Sequence, residues 1–169
     1  MDVVTAIRTR RTHKAFGSEP LPPALVDELL ELANWAPNHN LTVPWRFRVL
    51  GPRTLERLKD AAGPEGAAKL ERCPTLVVVS TALGGDPVQD EEDLHATAVA
   101  AYIVLLAAHD RGLAGYWRTP ALLREEAGRA AVGLPGAERA VGLLHLGHPR
   151  QERPVPERPG AGETIVHLD

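Results

Sequence analysis

"TLVVVST", Thr75 to Thr81, is the stretch on which the fold turns. Its residues are mostly β-branched and apolar, with no polar alternation to mark a wet face. Such a run reads as a central strand buried on both sides. A strand of that kind needs a layer above and a layer below, and the flanking sequence supplies both.

Upstream, "WRFRVL" (Trp45 to Leu50) alternates as a half-buried strand does, with Trp45, Phe47 and Val49 on one face and Gly51-Pro52 stopping it. "TLERLKDAA" then reads as a short amphipathic helix with Thr54 as its cap, and "GPEGAAKLERCP" reads clearly neither as helix nor as loop. Further back, "DVVTAIRTR" is a short helix with Asp2 at its start. Pro22-Pro23 open a second helix striped by Leu25, Val26, Leu29, Leu30, Leu32 and Ala33, which ends at Trp35-Ala36 because Pro37 comes next.

Downstream, a long helix is expected from about Asp90 to His109, acidic at its start, apolar in its middle and stopped by Gly112. "LAGYW" reads as a short strand and "RAVGLLHLG" (Arg139 to Gly147) as another. Between them "TPALLREEAGRAA" predicts a helix capped by Thr119 with Pro120 at its first position. The proline-rich tail excludes a regular element, and "TIVHL" near the end is apolar enough for an added strand. Helices and strands alternate without tidy βαβ units, so the expected class is α+β or a three-layer sandwich.

The totals bound the function. The 169 residues suit one domain, 1–169, and can bury a real core. Lys+Arg 19 against Asp+Glu 22 leaves a formal net charge of -3, so no global pull toward nucleic acid or membrane exists. The longest apolar run, "AVAAYIVLLAA" (Ala98 to Ala108), is too short to span a bilayer. Arginines interrupt the first residues, which do not form a secretory signal, and the single Cys73 excludes an intramolecular disulfide framework. A soluble, cytoplasmic protein is expected.

Most chemical motifs are missing. The sequence has no GxGxxG, Walker loop, HExxH or GxSxG. His145 and His148 straddle a strand end without supporting ligands, and "DPVQDEED" lacks calcium-loop spacing, so no metal is expected. Cys73 precedes Pro74 with nothing to activate it and reads as a buried structural thiol. With no acid/base pair or triad, any chemistry falls to a cofactor, and no catalytic side chain is assigned.

One local feature stands out: Arg8, Arg10, Arg11 and Lys14 crowd "IRTRRTHKAF". A basic arm on nucleic acid, a helix end decorated against its dipole and a phosphate site are three readings of it. The overall charge and the lack of aromatic–basic interleaving count against the first.

Three segments, "RRTHKAF", "NWAPNHNLTVPWRF" and "GLAGYWRTPALL", together resemble the nitroreductase family of FMN-dependent oxidoreductases. Arg10 to Phe16 resembles the family's R-R-S-x-R-x-F opening with Thr12 for serine. Ala36-Pro37 and Pro44-Trp45 hold the A-P and P-W places, "GYWRT" is similar to the G-x-W-R-S of the short bacterial subgroup, and "LLHLGHP" resembles its strand ending in L-G-x-P. The resemblance spans nearly the whole chain in order.

It implies a three-layer sandwich with a mostly antiparallel sheet flanked by helices, assembled as a homodimer with FMN at the subunit interface. It implies that Arg10, Arg11 and Thr12 hold the FMN phosphate, a group that wants arginines and a hydroxyl together. Lys14 would stand near the flavin's pyrimidine edge, where a cation stabilises the reduced form. Trp117, Arg118 and Thr119 would line the cofactor from the same chain, and Trp35 and His39 from the other. NADH or NADPH would deliver a hydride, and a nitroaromatic, quinone or similar small acceptor would take the electrons in ping-pong fashion. A non-catalytic FMN-binding or redox-sensing protein is the alternative. Leu41, Thr42 and Val43 depart from the family's N-x-Q before P-W, so the usual polar contacts there are not expected. Arg150, Arg153 and Arg158 are further candidates for the phosphate. The chain is also short for the family, which implies a more open flavin face.

Overall fold

In the computed structural model, which describes residues 1–155 and 157–168 without the side chain of Glu163, "TLVVVST" lies at the heart of the sheet. Strand β2 spans Thr75–Ala82, and Val77, Val78 and Val79 are fully buried. It pairs antiparallel with β1 (Trp45–Val49) on one side and with β4 (Glu138–Gly147) on the other; β4 pairs antiparallel with β3 (Ala114–Arg118). The order is β1-β2-β4-β3. In β1, Trp45 and Phe47 join the core, but Val49 at the strand end is exposed.

Each face of the sheet carries its own apolar layer. Val77, Val79, Leu144 and Leu146 meet α2 (Pro23–Glu31) and α4 (Pro87–Asp110). Leu76, Val78 and Leu143 meet α3 (Pro52–Leu70) and α5 (Glu126–Ala131) on the opposite face. Alternation along β2 and β4 sends successive side chains to the two layers. This is the expected three-layer, antiparallel α+β sandwich.

Helix α1 (Val3–Thr9) is capped by Asp2, whose carboxylate accepts from the Thr5 N–H, and it lies against α4. Helix α4 begins three residues earlier than expected. Asp86 caps it by accepting from the N–H groups of Val88 and Gln89, and Pro87 takes the first position. It ends at Asp110, just before Gly112.

Four local expectations are corrected. Helix α3 starts at Pro52 after Gly51, so Thr54 lies inside it and is not its cap. "GPEGAAKLERCP" is largely helical, because Gly63 (φ 65, ψ 177) breaks α3 and Pro64 restarts it. "TPALLREEAGRAA" is not one helix: Pro120 precedes a 3-10 turn at Ala121–Arg124, Glu125 is extended, and only α5 comes after it, so Thr119 caps nothing. The apolar "TIVHL" adds no strand; residues 165–168 are irregular and exposed.

The outer edge of β3 is partly covered. After α1 the chain runs extended alongside it, with a parallel bridge between Thr12 and Gly115 and the His13 N–H donating to the Gly115 carbonyl at 3.1 Å. Phe16 bridges back to Pro149. The basic segment is thereby fixed beside the sheet.

Candidate functional site

The arginines leave α1 where the helix ends. Arg10 turns out of the helix (φ -59, ψ 129), and its guanidinium carbon sits 5.4 Å from the ring centre of Tyr102 on α4. Arg11 donates to the Thr9 carbonyl at 2.9 Å. The Nε atoms of both arginines are buried and have no hydrogen-bond partner. Among the described residues no carboxylate lies within ion-pair distance of Arg10, Arg11 or Lys14.

The charge of this cluster is felt by its neighbours. Burial first, and then Arg11, holds His13 and His109 below the ordinary imidazole range. His109 also meets the Thr9 hydroxyl at 2.8 Å. Two imidazoles held below their ordinary range beside two guanidinium groups make this corner electropositive.

The extended segment carries Lys14 to the α3 face. Its ammonium lies 5.9 Å from the ring centre of Tyr116, and Lys14 and Arg118 line one cavity of about 150 Å³. Neighbouring Trp117 turns to the α4 face, as strand alternation requires. Its indole N–H donates to the Val141 carbonyl at 3.3 Å and lies so close over Gly142 that a Cβ there would stand 2.1 Å from the indole nitrogen. Thr12 and Thr119 are exposed beside and beyond β3.

Trp35 and His39 do not line the cavity of Lys14 and Arg118. Trp35 closes a 3-10 turn after α2 and is 83% exposed. His39 is exposed, with Nδ1 3.2 Å from the Glu92 carboxylate. The loop beyond is strained: Asn40, Leu41 and Val43 have positive φ (53, 52 and 45), unusual for non-glycine residues and most of all for a β-branched one. Asn38 holds it by accepting the Val43 N–H at 2.9 Å, and buried Asp93 by accepting the Thr42 hydroxyl at 2.6 Å. Leu41 and Val43 are left facing outward.

Residues 7–69 match the model of the nitroreductase family. The fold agrees: a nitroreductase-like family protein from Bacillus cereus superposes with a TM-score of 0.90 at 25% identity, over 100% of this chain and 97% of that one. In sequence and in fold the chain is similar to the nitroreductases. A Bacillus subtilis relative, named "Putative NAD(P)H nitroreductase YfhC", is 26% identical over 90% of this chain and 87% of its own length. The Desulfovibrio desulfuricans protein named as a putative nitroreductase in complex with FMN matches at 26% identity with a TM-score of 0.83, over 99% and 96% of the two chains.

The residues that carry the resemblance fall into separate places: Arg10, Arg11 and Thr12 at the basic corner, Lys14 and Arg118 on one cavity, and Trp35 and His39 on two other hollows. Sequence reasoning missed Lys69, Arg72, Tyr116 and His145, which line the same cavity as Lys14. Lys69 and Arg72 lie in the segment with no clear reading, and His145 draws attention in the sequence only as a metal ligand. Cys73 is the buried thiol expected: burial pushes it up to about 12, and it donates to the Leu146 carbonyl at 3.2 Å. Among the described residues no group of three metal-capable side chains occurs, and no helix is long and apolar enough to cross a membrane.

Proposed function

We propose that this chain is an NAD(P)H-dependent FMN oxidoreductase acting on a nitroaromatic, quinone or similar small acceptor. The carrying observation is the pair of buried, unpartnered Nε groups on Arg10 and Arg11. A phosphate dianion satisfies both and meets the exposed Thr12 hydroxyl beside them. The residues present thus fit FMN, the cofactor named for the Desulfovibrio relative.

Bound FMN supplies hydride acceptance and electron delivery, chemistry that no side chain here provides. The protein's part is to bind and orient. Arg10 and Arg11 anchor the phosphate, and Lys14 brings positive charge to the ring edge where negative charge develops. Arg118 lines the same cavity as Lys14, and Thr119 follows it on an adjoining hollow. Cys73, held protonated, takes no part. Donor and acceptor would occupy one site in turn, the ping-pong order.

A second copy of the chain completes the site in this reading. Val3, Ile7 and Trp35 are more than half exposed, and an apolar hollow of about 310 Å³ runs from Val3 past Trp35 to Ile103 and Leu106. Contiguous apolar surface of this kind favours a protein partner over water. Seated there, a second copy would bring its own Trp35 and His39 toward the cofactor of the first.

The absorption spectrum of the purified protein tests the reading. About one FMN per chain is expected, bleached by NADH or NADPH under anaerobic conditions. A colourless protein that takes up no added FMN overturns it. FMN bound but not reduced by either donor would favour a flavin carrier or sensor.

A further inference from the structure

The cavity beside Lys14 is charged on one side only. Lys14, Lys69, Arg72 and Arg118 line it together with Phe16, Tyr116 and His145, and among the described residues no carboxylate does. Lys69 pairs with Glu65, an exposed residue one helical turn away. Among the described residues, Lys14, Arg72 and Arg118 have no carboxylate within ion-pair distance.

His145 forms its inner wall. The residue is 1% exposed, its ring stacked on Phe16 at 6.3 Å and tilted against Tyr116 at 5.5 Å, centre to centre. Both ring nitrogens are buried and neither has a hydrogen-bond partner. Burial first, then Arg118 and Arg72, pushes its pKa down to about 4, so near neutral pH it offers one N–H donor and one lone pair. An orphaned polar group of this kind is costly unless something occupies the cavity.

We propose that this cavity binds the carboxylate of a small organic acid, with the His145 N–H donating to one oxygen and the surrounding cations neutralising the charge. Space favours a small occupant: about 150 Å³ admits a carboxylate on a single ring but not a whole tricyclic flavin. A delocalised oxyanion suits guanidinium groups, which bind it through paired N–H donors. The proposed function adds one step on which the binding site itself does not depend: the carboxylate belongs to the electron acceptor. The cavity would then anchor the acceptor's anionic end while its reducible end faces the cofactor.

The test uses the full chain, with and without FMN, titrated with benzoate, acetate and inorganic phosphate while the His145 ring resonances are followed. Benzoate should shift them saturably at one site per chain. Arg72→Gln should weaken that binding about tenfold, in line with one lost charge-assisted hydrogen bond. His145→Phe keeps the ring stack and should weaken it too. With FMN and NAD(P)H, 4-nitrobenzoate should show a lower KM than nitrobenzene, and Arg72→Gln should abolish that difference. No shift with benzoate, or equal binding of phosphate with no preference for 4-nitrobenzoate, overturns the proposal. Benzoate binding by a protein that takes up no FMN would sustain the site and sink the flavin reading. Reducible FMN with no benzoate response would do the reverse.

Discussion

His145 is the residue whose environment departs furthest from its sequence context. In the unfolded chain its imidazole titrates near pH 6.5, whereas folded it is held at about 4. The folded state therefore binds fewer protons between those values. Its contribution is complete above pH 6.5 and is lost as pH falls through 6.5 toward 4, up to about 3 kcal/mol. His145→Phe removes the titrating group. Denaturant melts across that range should show acid destabilisation weakened in the variant; identical slopes in the two proteins would contradict the burial account. His13 and His109 titrate in both proteins, so the comparison isolates His145. Nothing in "LLHLGHP" discloses this. Strand alternation indicates which face His145 takes, but the cavity beside it forms only when α3 and the Arg10–Phe16 segment pack nearby.

Elements whose signal was local were legible. The uniform apolar run of β2, the Asp2 cap and the proline-opened α2 each carry their own cause; the first two formed as read, and α2 opened at Pro23 but gives way after Glu31 to a 3-10 turn at Leu32–Trp35. Errors arose where one residue redirects the chain. Gly63 adopts φ 65 and ψ 177, a conformation closed to L side chains, and this single break let a helix continue beyond a Gly-Pro pair. Gly63→Ala should cost about 1–3 kcal/mol by denaturant unfolding, because an added Cβ meets nothing within 4 Å and the penalty is backbone alone. An unchanged midpoint would mean that the break is not required. Thr119-Pro120 misled in the opposite way. Neither residue opens an α-helix: Thr119 caps nothing, Pro120 precedes a 3-10 turn, and the extended Glu125 separates that turn from a short α5.

At the scale of the whole molecule, the motifs were legible because they are contiguous, and the resemblance they carry already implied that Trp35 and His39 serve a different copy of the site from Arg10 and Lys14. Arg10 and Lys14 lie beside β3, while Trp35 and His39 project elsewhere next to a strained loop with outward Leu41 and Val43. The proposed homodimer with shared sites would reconcile the two. Mixing Arg10→Ala chains with His39→Ala chains should then restore flavin binding that neither variant shows alone, because the mixed dimer has one undamaged site. No recovery after confirmed exchange would exclude sharing. Beneath this lies the claim that Arg10 and Arg11 hold a phosphate, and comparing FMN with riboflavin on apoprotein tests it most directly, since the two ligands differ only in that group. Wild-type protein should prefer FMN, and Arg10→Ala should erase about 1.5–3 kcal/mol of the preference while leaving riboflavin affinity nearly unchanged. A preference that survives the substitution intact would contradict the account.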